Sequence, residues 1–391
     1  MDLILSLLAL FGHAVLWVGL VNRIHATGLS RGLVRGLSVL GLAGIVFIPI
    51  GFVWMLVRLG YRLGESIEWF DLPKLAVVYA VVCWLLAMAV VAAWFWNRFT
   101  HRSVDLLWSR QGRLMDLARD IKPSDASEDH THHFLAHLPG NQILQIDFNE
   151  RAMAMPRLDP RLEGLSIVHL SDLHFTGRVG KAFFQEVVCL SNELEPDLVA
   201  LTGDLVDTDA CIDWIPDVLG PLTARHGIYF VLGNHDLRVD TARLRSTLHD
   251  VGLVDLGGCW IRRDVNDAPI VLAGNELPWI PPAADMHDAP SRVAGSGPLR
   301  VLLSHSPDQL DWAVAHDFDL MLAGHLHGGQ IRLPLIGPIL APSRQGVRFA
   351  SGVFQRGSTI LHVSRGLSGE LPIRLNCPPE LTQIVLHTAD A

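Results

Sequence analysis

Three stretches near the start of the chain, 3–22, 36–57 and 75–96, contain no Asp, Glu, Lys or Arg. A hydrocarbon core of roughly 30 Å is crossed by about 20 helical residues, so each run is long enough to span a bilayer. None has a polar face to turn toward water, which argues against three helices of a soluble bundle. Pro49 and Gly51 lie inside the second run, where lipid tolerates a kink. Trp17, Trp54, Trp94 and Trp96 lie toward run ends, as interfacial aromatics do. The first run is preceded by Asp2 and by no basic residue, unlike a secretory signal, and is expected to stay in the protein. His13 within it is expected to be a neutral, hydrogen-bonded imidazole.

Beyond the third run the pattern changes twice. Leu106, Leu107, Leu114 and Leu117 recur at near-helical spacing with Arg between them, which predicts an amphipathic helix over 97–122. The segment 123–133, PSDASEDHTHH, reads as a flexible polar linker whose His130, His132 and His133 are solvated. From 134 onward short apolar runs alternate with helical patterns. Strands are expected at 143–148, 165–170, 197–202, 228–232, 270–273, 299–304, 319–323, 359–363 and 382–386, and helices at 181–194, 212–224, 240–251 and 307–316. This alternation predicts an α/β domain. The expected organisation is three transmembrane helices over 1–97, an amphipathic helix and linker over 98–133, and a catalytic domain over 134–391.

Charge supports that division. Residues 1–122 hold 12 Lys and Arg against 7 Asp and Glu, while 123–391 hold 19 against 33, for a net charge of -9. With half the chain hydrophobic and 18% charged, intrinsic disorder is excluded. The acidic rear disfavours a nucleic-acid partner. Nine basic residues flank the first and third loops (Arg23, Arg31, Arg35, Arg98, Arg102, Arg110, Arg113, Arg119 and Lys122), against Arg58, Arg62 and Lys74 in the second. The positive-inside rule then places the rear domain in the cytoplasm of an inner or plasma membrane. Cys83, Cys189, Cys211, Cys259 and Cys377 form no paired motif and are expected to be small buried residues.

The chemistry lies just after the expected strands. Ser171-Asp172-Leu173-His174, Gly203-Asp204-Leu205-Val206-Asp207, Gly233-Asn234-His235-Asp236, Ser304-His305 and Gly324-His325-Leu326-His327-Gly328-Gly329-Gln330 each follow one. Sites in α/β sheets form beyond the carboxyl ends of strands. Carboxylates, an amide and imidazoles without thiolate suit Mn, Fe, Zn or Mg. They are too many for one tetrahedral ion. Seven ligands sharing one carboxylate suit a pair of ions about 3.5–4 Å apart, an arrangement that acts on phosphate esters.

These five motifs resemble those of the calcineurin-like metallophosphoesterases over roughly 140–391. The resemblance implies a four-layer α-β-β-α sandwich with two divalent metal ions, Mn, Fe or Zn. Asp172, His174 and His327 would hold one ion, Asn234, His305 and His325 the other, and Asp204 would bridge. His235 matches the catalytic histidine and Asp207 the aspartate that orients it; Asp236 is expected in a turn or cap. His327-Gly328-Gly329-Gln330-Ile331, Ser364-Arg365-Gly366-Leu367, Leu371-Pro372-Ile373-Arg374 and Pro379-Glu380-Leu381 resemble the YkuE-like membrane-associated branch. Some of its members resemble enzymes that cleave UDP-2,3-diacylglucosamine, a lipid A precursor, at its pyrophosphate. Leu326 stands where that branch often has Thr, and its side chain is expected to point away from the ions.

Arg365 and Arg374 are candidates for a second phosphate, with structural salt bridges as the alternative. Asn275 and Glu276 are expected in a structural turn near the site mouth. Trp279, Ile280, Pro281 and Pro282 open an apolar loop reaching to about 297, which grips acyl chains, dips into the membrane or is a surface insertion. The expected activity is hydrolysis of a phosphodiester or pyrophosphate, lipid-linked and at the membrane surface, by metal-activated water. Soluble nucleotides or phosphoproteins are the alternative substrates. A silent scaffold would be expected to have lost a ligand or His235, and none is lost.

Overall fold

The computed structural model describes residues 2–62, 65–100, 107–117, 133–136, 138–290 and 297–389. The chain forms two compact units, 1–103 and 104–391. In the first, α1 (Asp2–His25), α2 (Arg31–Arg58) and α3 (Lys74–Thr100) contain the three charge-free runs. Each is long and apolar enough to cross a membrane, and only 6–17% of each apolar window is buried. Their apolar side chains therefore mostly face outward. His13 is hydrogen-bonded as expected: Nδ1 lies 2.6 Å from Tyr79 Oη and Nε2 lies 3.1 Å from the Ile45 carbonyl. Trp17 donates to the same Tyr79 oxygen at 2.9 Å. Such polar contacts join helices where apolar burial supplies little drive.

The second unit contains two sheets. The first has the order β1-β2-β15-β3-β4-β5-β6, and comprises β1 (Leu107–Asp116), β2 (Gln145–Met155), β3 (Ser166–Leu170), β4 (Leu198–Thr202), β5 (Ile228–Val231), β6 (Val254–Asp255) and β15 (Glu380–Thr388). The second has the order β13-β14-β10-β9-β8-β7, and comprises β7 (Trp260–Val265), β8 (Ala268–Asn275), β9 (Leu299–Ser304), β10 (Leu320–Ala323), β13 (Gly352–Arg356) and β14 (Thr359–Val363). A small antiparallel ribbon joins β11 (Arg332–Leu333) to β12 (Gly337–Pro338). A single turn, α4 (His133–Ala136), precedes β2, and four helices complete the layers: α5 (Lys181–Glu193), α6 (Ile215–Val218), α7 (Thr241–Asp250) and α8 (Leu310–Ala315).

Side-chain alternation makes the layers. Ile167, Ala200, Val231, Leu272, Val301, Leu322 and Ile384 form the core between the sheets. Val168, Leu201 and Phe230 point the other way, onto Phe184, Val187, Val218 and Leu244 of α5, α6 and α7. Val271, Leu302, Met321 and Leu361 do the same on the second sheet, against Leu310 and Ala313 of α8. Period-two alternation permits a strand buried on both faces. The four-layer α-β-β-α arrangement follows.

Three expectations need correction. Residues 107–116 are a strand, not an amphipathic helix. Leu114 is 56% exposed while Leu117 is buried, so two leucines expected on one helical stripe occupy opposite faces. Gly112, a poor helix residue, sits where a Cβ would come within 2.9 Å of Asn149 Cβ across the strand pair. The helix expected at 212–224 shortens to α6, with Gly220 and Pro221 following its end. Cys189 and Cys259 are exposed, whereas Cys83, Cys211 and Cys377 are buried. The linker's His130 and His132 lie outside the described residues, as do its other residues up to 132.

Candidate metal centre

The five motifs follow the carboxyl ends of β3, β4, β5, β9 and β10. The two sheets face one another, so these strand ends share one edge of the sandwich. The loops turn sharply there. Asp172, His174, Asp204, His325 and His327 all have φ between 47° and 73°, in the left-handed region that non-glycine residues rarely adopt. Such conformations persist where surrounding structure imposes them, and they gather at functional sites. Gly324 allows the closest approach: a Cβ there would lie 1.8 Å from Ser171 Oγ and 2.3 Å from Asp172 Oδ2.

Three groups of side chains converge; beside His174, Asp207 and His235, which hydrogen-bond through Asp207, two sets share Asp204. Asp172, His174, Asp204 and His327 bring one ligand atom each to a common point, and Asp204, His305 and His325 do likewise. Asp204 belongs to both. Its Oδ2 lies 3.6 Å from His174 Nε2 and 3.1 Å from His305 Nε2, while Oδ1 accepts the His235 N–H at 2.7 Å. In the first set His174 Nε2 and His327 Nε2 are 3.2 Å apart, and His327 Nε2 is 3.4 Å from Asp172 Oδ1. In the second, His325 Nδ1 is 3.1 Å from His305 Nε2.

Partners behind the rings fix these directions. Asp207 Oδ2 holds His174 Nδ1 at 2.6 Å, and Asp207 Oδ1 holds His235 Nδ1 at 2.5 Å. One carboxylate therefore orients both a metal-facing histidine and His235. The His174 and His235 rings meet edge to face, 4.6 Å apart. His305 Nδ1 lies 2.7 Å from the Thr202 carbonyl and His327 Nδ1 lies 3.1 Å from that of Ser368. Orientation through the second ring nitrogen is the usual support of a metal-binding histidine. Asp236 does more than the expected turn or cap: fully buried, it accepts the N–H groups of Leu205, Val206 and Gly233 at 2.8–2.9 Å, tying two ligand loops together.

The charges are arranged for cations. Burial lowers the affinity of His174 for a proton, but Asp207, Asp204 and Asp172 outweigh it and raise its pKa to about 9. Burial and then Asp204 act in the same opposed way on His305, also to about 9. Burial and the His305 charge hold His325 well below its ordinary value; burial and His174 do so for His327. Burial would raise Asp204, yet the histidines keep it well below the usual carboxylate range. Burial and the Asp204 charge push Asp236 up to about 7.

Comparison with known proteins settles the family. The calcineurin-like phosphoesterase profile matches residues 165–329. Phosphodiesterase YaeI of Escherichia coli (strain K12) is 31% identical over 228 residues, covering 56% of this chain and 81% of that protein. The chain belongs to the calcineurin-like phosphoesterase family. An uncharacterized metallophosphoesterase, YkuE of Bacillus subtilis (strain 168), is 29% identical over 256 residues, covering 63% of this chain and 87% of that one. A transmembrane protein with metallophosphoesterase domain from Danio rerio is 30% identical over 249 residues, covering 60% of this chain and 55% of that one.

Calcineurin-like phosphoesterases use divalent metal ions. The side chains here fit such ions on their own evidence. Asn234 Oδ1 is a buried acceptor with no donor among the described residues, which is costly unless a cation faces it. Two acidic ligands and four imidazoles converge there. Leu326, between the two histidines, is buried in the core outside the second sheet, away from the ligands as expected.

Arg365 and Arg374 are corrected. Arg365 is 8% exposed and bound to Glu380 and Asp147. Arg374 is fully buried, and its guanidinium donates to the carbonyls of His327, Arg365 and Ser368. Neither is free to hold a phosphate; Arg374 instead braces the His327 loop. Asn275 and Glu276 are the structural turn expected. Glu276 accepts from Leu232 N at 2.6 Å and from Arg245. Of the apolar loop, Ala284, Met286 and Ala289 pack on the second sheet, and 291–296 lie outside the described residues. Trp279 lies with its ring 4.7 Å from that of His325 and 5.6 Å from that of His305.

Sequence reasoning missed Arg238. Its guanidinium lies 3.1 Å from both His235 Nε2 and Asp207 Oδ1, and it pairs with Glu370. At a third exposed, it is the charged arginine at this rim. Its position three residues after His235, in the short turn Asp236–Arg238, was the available signal.

Proposed function

We propose that this chain is a membrane-anchored, two-metal phosphodiesterase acting on a lipid-linked phosphodiester or pyrophosphate, with UDP-2,3-diacylglucosamine the first candidate. The observation that carries it is one chain holding both the ligand sets that meet at Asp204 and three helices of membrane-crossing length. A phosphodiesterase among its relatives supports the bond type.

Asp172, His174 and His327 would hold one ion, Asn234, His305 and His325 the other, with Asp204 shared. Bound divalent ions supply phosphoryl polarisation and a water acidic enough to attack near neutral pH. The chain's own groups do the rest. Asp207 fixes His235 through Nδ1, and Nε2, which here accepts from Arg238 at 3.1 Å, is the nitrogen that would hand a proton to the leaving oxygen once that contact is released and the ring is protonated. Arg238, beside that Nε2, adds positive charge where negative charge develops. Anchoring confines enzyme and lipid to one surface, and the basic flanks favour the cytoplasmic side.

The test is UMP release from UDP-2,3-diacylglucosamine by the detergent-purified chain with Mn²⁺, beside His235→Ala. Release by the unaltered chain alone supports the substrate, the pyrophosphate bond and the role of His235 together. Hydrolysis of an aryl phosphodiester without UMP release removes the lipid A assignment and turns the search to other membrane-surface diesters and soluble nucleotides.

A further inference from the structure

The segment that follows His327 is unlike the rest of its unit. From 320 to 369 it holds Arg332, Arg344, Arg348, Arg356 and Arg365 and no Asp or Glu, although Arg356 pairs with Asp311 and the buried Arg365 with Glu380 and Asp147, which leaves Arg344 and Arg348 as the exposed positive charges without an ion pair among the described residues. Yet residues 123–391 carry 33 acidic against 19 basic side chains. Arg344 and Arg348 are exposed, and neither guanidinium is in an ion pair among the described residues, although the Arg344 backbone N–H donates to Asp308 at 2.8 Å.

Within this basic stretch the β11–β12 ribbon presents bare apolar side chains. Leu335 at its tip is 95% exposed and Ile336 63%. Ile331, Leu333, Ile339 and Leu340 follow along its length, with Leu371 and Leu375 flanking it, all more than a third exposed. Single exposed leucines mean little, but a continuous run of them marks an interaction surface. The turn itself is telling. Leu335 has φ 67°, where Gly or Asn is usual, and the Ile336 N–H donates to the Pro334 carbonyl at 2.8 Å. A strained backbone that holds an apolar side chain in water has two costs and no folding benefit.

The ribbon is rooted on the metal centre. Arg332 donates to the Gly328 carbonyl at 2.8 Å, one residue after His327, and a Cβ on Gly329 would meet Pro338 at 2.5 Å. Its Ile331 strand edge pairs with Leu375, next to the Arg374 that braces His327.

We propose that the 331–340 ribbon is a membrane-docking element that dips Leu335 and Ile336 into an anionic lipid surface beside the metal centre. An apolar tip within a basic setting fits a bilayer interface with negative headgroups. The chain's membrane-length helices give that surface a constant presence. The inference deepens the proposed function and rests on its membrane anchoring, but it does not need the lipid A substrate to be right.

The experiment uses the full chain reconstituted in phosphatidylglycerol vesicles. Leu335→Cys, in a Cys189→Ser, Cys259→Ser background, carries an environment-sensitive fluorophore; Asp250→Cys on α7 is the control. The expected result is a blue shift at 335 and quenching by nitroxide-labelled lipid, both weaker in phosphatidylcholine and absent at 250. A water-like spectrum at 335 overturns the proposal. So does a blue shift that nitroxide lipid does not quench and that grows with protein concentration, which would mean a second copy of the chain covers the ribbon. Ile336→Asp added to the labelled Leu335→Cys protein should lose the quenching, and the unlabelled Leu335→Asp, Ile336→Asp protein should lose several-fold of turnover on a vesicle-borne diester, with soluble aryl diester hydrolysis unchanged. Quenching needs no turnover, so a wrong substrate and a wrong docking element give different outcomes.

Discussion

The two ligand sets share Asp204 but differ in what stands behind them. The first, with Asp172, His174 and His327, is wired to charge: Asp207 holds His174, and the same carboxylate holds His235 and Arg238. The second, with Asn234, His305 and His325, is wired to neutral groups: a backbone carbonyl behind His305 and the Trp279 ring against His325. His327 keeps 14% of its side chain exposed, while those of His305 and His325 are buried. The difference separates roles. On the proposed function, the open, charged side would handle protons and the closed side would anchor an ion.

The shared residue gives the largest effect. Asp204→Asn should reduce hydrolysis to background and lower metal content at both positions, read by elemental analysis of the dialysed protein. Retention of two ions would show that the sets do not meet at Asp204. His235→Ala should lower kcat by about 10²–10⁴-fold, the usual contribution of a positioned proton donor. Metal content should stay at two, because His235 is not in either set. Loss of an ion would make it a ligand and erase the distinction drawn here.

Asp207→Asn tests the wiring itself. Removing a carboxylate behind a ligating histidine costs about 10–100-fold in metal affinity or activity. The loss should fall on one ion, leaving the second bound as before. Equal weakening of both would mean the charged network serves the whole centre.

Much of this was legible before any coordinates. All nine expected strands are present, and all seven ligand candidates follow strand ends. In the two main sheets the strands without an expected counterpart are β1, β6, β7 and β13, which are the four sheet edges; the two-residue strands β11 and β12 have none either. Edge strands carry a weaker apolar pattern: in β7, Arg262, Arg263 and Asp264 are exposed in succession. The three central ligand loops were legible because glycines and polar residues interrupt an apolar strand abruptly. Arginines were not. A guanidinium can face a substrate or a carbonyl, and only packing decides: Arg374 went inward and Arg238 outward.

Proton release distinguishes the sets less, since both contain one histidine raised to about 9, His174 and His305. In the metal-free protein these rings stay protonated at pH 7, above an unfolded value of about 6.5. Their contribution to stability is complete below that value and is lost as pH rises through about 9. An ion must displace both protons, so affinity should rise from pH 6.5 to 9, by about tenfold per pH unit for each proton released. Titration calorimetry in buffers of different ionisation enthalpy counts them. Two protons released on filling both positions is the expected value, and none would mean that the histidines are already neutral.

The smallest effect is expected at Trp279, and it addresses the closed side alone. The ring touches His305 and His325 but no group in the charged network among the contacts described. Trp279→Ala should let water reach the second ion's histidines and weaken their fixed geometry. Rings packed edge to face contribute about 0.5–1.5 kcal/mol beyond their burial. That corresponds to an affinity loss of several-fold for one ion, with the His235-dependent pH profile of kcat unmoved. If the profile shifts instead, the aromatic lid acts on proton transfer, and the closed side is not merely an anchor.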